Sequence, residues 1–357
     1  MRSFRLSLPI LFAVFLLAVA PPGAQAAPKV VVSIKPLHSL VAAVMVGVGE
    51  PTLLLSGAGS PHSYSLKPSE ARALAQSDLV FWIGDELEQF LVKTLGTLSG
   101  SARVVALTEA EGIAFLDVRE GGVWGEHDHG SHEEAGEHED DHEEHGHEGH
   151  GHEEHGHEEH DHEERADHEE QDHAEHGHEG HDHGERDIHI WLDPDNAAAM
   201  VRAIMANLSH ADPANAERYT ANGTALLGLL DGLDSEIKAL LSSVKDHPYI
   251  VFHDAYQYFE VRYGTNGVGA ISVSPERAPG AKRLAALRDE IVDRGAVCVF
   301  SEPQFEPALV ATIAEGTAAK TGELDPLGAD LSPGPGAYFA LMRNLAKGFH
   351  DCLTPSS

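Results

Sequence analysis

Basic side chains are scarce in this chain: 24 Lys and Arg stand against 58 Asp and Glu in 357 residues, a formal net charge of −34. A surface so acidic repels phosphate backbones and excludes nucleic acid as a partner, but it suits cations. Cysteine is scarcer still, with only Cys298 and Cys352. Neither has a second Cys or a His at ligand spacing, which argues against a cysteine metal site. An even pair in an exported chain favours a structural disulfide. Apolar runs long enough to cross a membrane are also missing. Leu6 to Ala20 is short for a span, which needs about 20 apolar residues. With Arg2 and Arg5 before it and Ala24-Gln25-Ala26 after it, residues 1–26 read as a secretory signal peptide. No cysteine near the cleavage point offers itself for lipid attachment. The mature protein is expected in the periplasm, without stable membrane insertion.

Histidine and acid are what the chain has in excess, and both are concentrated in one place. Residues 126–187 carry 19 of the 26 histidines and 27 Asp and Glu against two arginines. His145, His147, His150, His152, His155, His157, His160 and His162 form its densest part, HGHEGHGHEEHGHEEHDH. A stretch with almost no apolar side chains cannot offset the entropy lost on ordering, so disorder is expected there. Its imidazoles and carboxylates suit weak binding of several divalent ions. Ordinary sequence resumes on both sides, which makes it an insertion within a domain.

Around the insertion, short apolar runs alternate with helical patterns. VVVSI, PTLLLS, DLVFWIG and ARVVAL read as buried strands before it, and YIVF, GAISV and AVCVF after it. SLVAAVMVGVG, KPSEARALAQS and ELEQFLVKTLGTL read as helices, as do PGAKRLAALRDEIVDRG and AYFALMRNLAKGF. Such alternation predicts α/β construction around mainly parallel sheets. Asp193-Pro194 and Asp212-Pro213 are N-cap signatures. After the second, Leu226, Leu230, Leu233, Ile237, Leu240 and Val244 mark one apolar stripe of a helix over 213–243. The expected architecture is an N-terminal lobe of residues 27–125 and 188–212, a long rigid helix at 213–243, and a C-terminal lobe at 244–357.

Three histidines stand outside the insertion in apolar contexts at the ends of strand-like runs. His62 follows PTLLLSGAGSP, His189 sits in DIHIWLDP, and His253 ends YIVFH. Ligands of open α/β sheets bind beyond the carboxyl ends of the strands. Two of these histidines precede the long helix and one follows it, so together they can line a cleft between lobes. Imidazole nitrogen suits zinc. Asp325 in GELDPLG is a candidate fourth ligand; the other reading is that it opens a turn before Pro326. Three histidines with an open position also suit a zinc hydrolase, with Glu302 or Asp254 as the base. Neither lies in an HExxH signature, so a non-enzymatic carrier is preferred.

The motifs VVSIKPLHSLVAAVM, GAGSPHSYSLKPSEARAL, HIWLDPDNAAAM, VFHDAYQYFEVRYG, SPERAPGAKRLAALRDEI and GELDPLG occur in this order, with the His-rich tract just before HIWLDP. In this the chain resembles the zinc-specific periplasmic binding proteins of ABC importers, over nearly all of its mature length. The resemblance implies two lobes bridged by a rigid helix, Zn2+ in the cleft and delivery to a membrane permease; the protein is expected to be a monomer. The family's histidine ligands fall on His62, His189 and His253. Some members place a glutamate before the first histidine, where this chain has Pro61, which leaves the fourth position to Asp325 or water. Manganese-binding relatives typically have a glutamate at the place of His253, and other relatives of the fold are adhesins.

Overall fold

The computed structural model describes residues 26–97, 102–119, 124, 186–272, 280–305 and 307–355. Most of the expected signal peptide and of the His-rich insertion, including His145 to His162, lies outside them.

The N-terminal lobe holds β1 (Val30–Val32), α1 (Lys35–Val44), β2 (Thr52–Leu53), α2 (Pro68–Ala75), β3 (Leu79–Trp82), α3 (Gln89–Thr97) and β4 (Arg103–Ala106). Its four strands are all parallel, in the order β2-β1-β3-β4. Two helices follow the insertion, α4 (Pro194–Ala211) and α5 (Ala216–Leu241). The second lobe holds β5 (Pro248–His253), α6 (Gln257–Tyr263), β6 (Asn266–Ser272), α7 (Ala281–Asp293), β7 (Cys298–Ser301), α8 (Pro307–Ala314), β8 (Lys320–Glu323) and α9 (Ala337–Leu353). Its sheet is also parallel, in the order β6-β5-β7-β8. In each sheet the chain runs outward first to one side and then to the other. The resulting switch points, between β1 and β3 and between β5 and β7, are where such sheets bind ligands.

Strand periodicity divides the core. Val30 and Val32 face a central cluster, while Val31 joins Leu74 and Leu91 under α2 and α3. Likewise Tyr249 and Val251 face the centre, and Ile250 and Phe252 pack beneath α7 and α8. Alternate side chains of a strand point to opposite faces, which explains both splits. The central cluster runs through α1, α4, α5 and α9 and belongs to both lobes at once. Hydrogen bonds cross it: Trp191 Nε1 donates to Pro326 O at 2.8 Å, and Tyr338 OH to Trp191 O at 2.8 Å. Arg262 of α6 reaches Asp234 of α5 at 2.8 Å and also Asp195 of α4.

Several local expectations are adjusted. The long helix is 26 residues, about 39 Å at the α-helical rise, preceded by a separate 3-10 turn at Pro213–Asn215. Leu240 is 38% exposed and Leu241 takes its place on the buried stripe at 1%. Gly223 of α5 serves packing: a Cβ there would sit 2.1 Å from Met205 Sδ, so glycine lets α4 approach. HIWL forms no strand but a 3-10 turn at Ile190–Leu192, with Asp193 capping α4 through Asp195 N. Arg186 and Asp187, expected at the end of the insertion, both belong to the lobe. Arg186 makes an antiparallel bridge with Asp117, and Asp187 is buried.

Cys298 of β7 is bonded to Cys352 of α9, 54 residues away. In the chain-entropy model, closing such a loop stabilises by roughly 4 kcal/mol, and measured values are often lower. A Cys298→Ala/Cys352→Ala variant should therefore lose about 2–4 kcal/mol of stability in urea titrations. An unchanged midpoint and slope would mean that the bond constrains nothing that the core does not already hold.

Candidate metal centre

His253 is the last residue of β5, and Glu302 immediately follows β7, its neighbour across the switch point. The pairing brings His253 Nδ1 to 2.7 Å from Glu302 Oε1, whose residue is 1% exposed. His189 obtains a similar partner locally. Asp187 Oδ1 lies 2.8 Å from His189 Nδ1 and also accepts from His189 N at 2.9 Å. In both pairs one ring nitrogen is committed to a carboxylate, which leaves Nε2 for another use. His189 Nε2 is buried and without a partner among the described residues. His62 comes from the loop after β2, where Gly57 at φ 101° allows a turn that other residues resist.

The three rings converge. Centroids are 5.6 Å apart for His62 and His189, 6.1 Å for His62 and His253, and 5.4 Å for His189 and His253. One nitrogen from each falls within 4.8 Å of the others. The cavity between them, also lined by Ser60, Trp191 and Gln304, has a volume of about 10 Å³.

Electrostatics separate the imidazoles. Burial, with the neighbouring His189 and His253, pushes His62 down to about 2. Burial and His253 lower His189 to about 3. Burial also opposes protonation of His253, but Glu302 outweighs it and the net shift is upward. Asp187 is raised to about 7 by burial, against the hydrogen bond from His189 N. Two imidazoles are thus neutral at pH 7 and ready to donate lone pairs. A cation would have to compete with a proton only at His253.

The structure brings together His62, His189 and His253 and leaves Asp325 apart. Asp325 Oδ1 accepts from Gln304 Nε2 at 2.8 Å, Leu327 N at 3.1 Å and Gly328 N at 2.9 Å, and Oδ2 accepts from Ala329 N at 2.5 Å. Both oxygens are engaged in closing the Asp-Pro turn. The two candidate bases are similarly committed, Glu302 to His253 and Asp254 to Arg119. Sequence reasoning missed Asp187 and Glu302 as partners of histidine. D-x-H was a weak local signal for the first, and only strand pairing reveals the second.

Two parallel sheets that share a helical core, each presenting its switch point to a common cavity, define the class of two-lobed solute-binding proteins. The family model "Zinc-uptake complex component A periplasmic", ZnuA, matches residues 30–352. The chain is 53% identical over 325 residues, 91% of each chain, to the high-affinity zinc uptake system protein ZnuA of Brucella suis. It is 40% identical over 335 residues, 94% of each, to the protein of that name from Paracoccus denitrificans. A crystal structure of ZnuA superposes with a TM-score of 0.67 at 22% identity, covering 92% of this chain and all of that one. This chain belongs to the ZnuA family.

A neutral buried histidine ties stability to pH. The folded state holds His189 near 3 where the unfolded chain has about 6.5. Between these values the unfolded state binds more protons at this residue, so the contribution of His189 is full above about 6.5 and falls as pH drops through the window, opposite in sign to that of the raised Asp187. His189→Gln should remove up to about 1.4 kcal/mol per pH unit of that slope in the metal-free protein. Denaturant titrations at pH 4 to 7 test this, and identical slopes for both proteins would contradict it.

Proposed function

We propose that this protein captures Zn2+ between its lobes with His62, His189 and His253 and delivers it to the membrane permease of an ABC importer. The observation that carries the reading is the convergence of three imidazoles, two of them braced by buried carboxylates. Zinc-bound histidine commonly gives its other nitrogen to a carboxylate, which fixes the tautomer and raises basicity. A ZnuA-family protein is a transport component and not an enzyme. It acts in the periplasm, which it reaches by cleavage after Ala26, and as a monomer. The His-rich insertion gathers zinc for the tight site, each of its own sites being weaker than one whose donors are already in place.

The shared core and the bonds across it oppose a hinge rotation of the lobes. Zinc therefore acts on the His62 loop and not on lobe orientation. Small-angle scattering should be the same with and without zinc, while hydrogen exchange in residues 56–63 slows. A change in radius of gyration with unaltered exchange would reverse this view.

Replacing His62, His189 or His253 by Ala should abolish tight zinc binding in competition calorimetry. Asp187→Asn and Glu302→Gln should each weaken it about 10- to 100-fold. Deleting residues 126–185 should keep one tight zinc per molecule, but extending the deletion through 187 removes the brace on His189 and weakens it. Equal affinity for the two deletions would refute the role given to Asp187.

A further inference from the structure

Gln304 lies two residues beyond Glu302 and lines the same cavity as the three imidazoles. Its amide nitrogen donates to Asp325 Oδ1 at 2.8 Å. An ionised carboxylate only accepts, so the nitrogen must face Asp325 and the carbonyl oxygen must face away from it. That oxygen, Oε1, is buried and has no partner among the described residues. A buried carbonyl left unmatched carries the full cost of its desolvation. It can be satisfied only by a group that brings a proton.

Neither His189 nor His253 supplies one, since Nδ1 of each is committed to a carboxylate and Nε2 is the nitrogen left for a metal. A zinc ion held by three protein nitrogens keeps a fourth position for water. Metal-bound water is an acidic donor, since the cation withdraws charge from its oxygen. The geometry points to a fourth zinc donor that is a water molecule, positioned by Gln304, with Asp325 acting through the Gln304 amide and never on the ion. This rests on the three-histidine reading above and adds a positioning residue to it. It accounts for two otherwise separate facts, the engaged carboxylate of Asp325 and the unmatched oxygen beside the site. It also bears on selectivity. A neutral amide there keeps the donor set nitrogen-rich, whereas a carboxylate would supply the hard oxygen that manganese prefers.

The test uses the full chain loaded with Co2+, whose visible absorption reports the number and type of its donors. Gln304→Leu removes the amide at similar volume. The expected result is one metal per tight site, zinc affinity about tenfold lower, and shifted Co2+ bands. Adding Asp325→Asn to Gln304→Leu should leave the spectrum where the single variant put it. A role confined to holding the Asp325 turn would lower the thermal midpoint and leave the bands unmoved. That outcome, or a zinc-edge crystal structure with an Asp325 oxygen on the ion, overturns the inference. His62→Ala and His189→Ala serve as controls. If these bind zinc as tightly as the parent, the three-histidine reading itself fails; if they lose zinc while Gln304→Leu matches the parent in affinity and spectrum, only the role of Gln304 fails.

Discussion

A buried imidazole that is to serve a metal has a constraint that an exposed one escapes. Both of its nitrogens leave water, and one must find a protein partner while the other stays available. His189 and His253 meet the constraint with carboxylates that are themselves nearly inaccessible, Asp187 at 5% and Glu302 at 1% exposure. Such a carboxylate is costly in isolation, as the rise of Asp187 to about 7 records. A neighbouring N–H offsets part of that cost. Each pair is thus stable only as a pair, and much of the architecture follows from assembling both. The Asp187 pair is short-range and needs only a turn leading into α4. The Glu302 pair is long-range and needs β5 and β7 to be adjacent and parallel, so that both strands end at one level.

The same dependence explains what the sequence revealed and what it withheld. Alternating strand and helix patterns exposed the α/β construction because parallel strands buried on both faces read as continuous apolar runs, as in LVFW and YIVF. The edge strand β8, Lys-Thr-Gly-Glu, is only partly buried and carries no such run, so it passed unnoticed. The three histidines were legible because imidazole is conspicuous among Ile, Trp, Val and Phe. Their carboxylate partners were not. Asp187 was hidden by composition, lying at the border of a tract full of acids, and Glu302 by distance, 49 residues from His253. Asp325 misled for the opposite reason. A carboxylate before proline in an apolar setting suits a ligand and a turn equally, and only the four donors around it decide for the turn.

The three imidazoles are held unequally, and the inequality has a consequence for a carrier that must both bind and release. His189 and His253 are fixed by carboxylates and rooted beside a shared core that spans both lobes. His62 sits on a loop of small and turn-forming residues, Ser56 to Pro61, and its backbone N–H donates to Ser60 Oγ at 3.3 Å. Ordering two ligands in advance removes their entropy cost from binding, which favours affinity. Leaving the third on a loop keeps a low barrier to exchange, since local opening there disturbs none of the central packing. A site with all three braced would hold its ion longer but offer no segment for a partner to pull. On the proposed reading, tight capture belongs to the braced pair and departure of the ion belongs to His62.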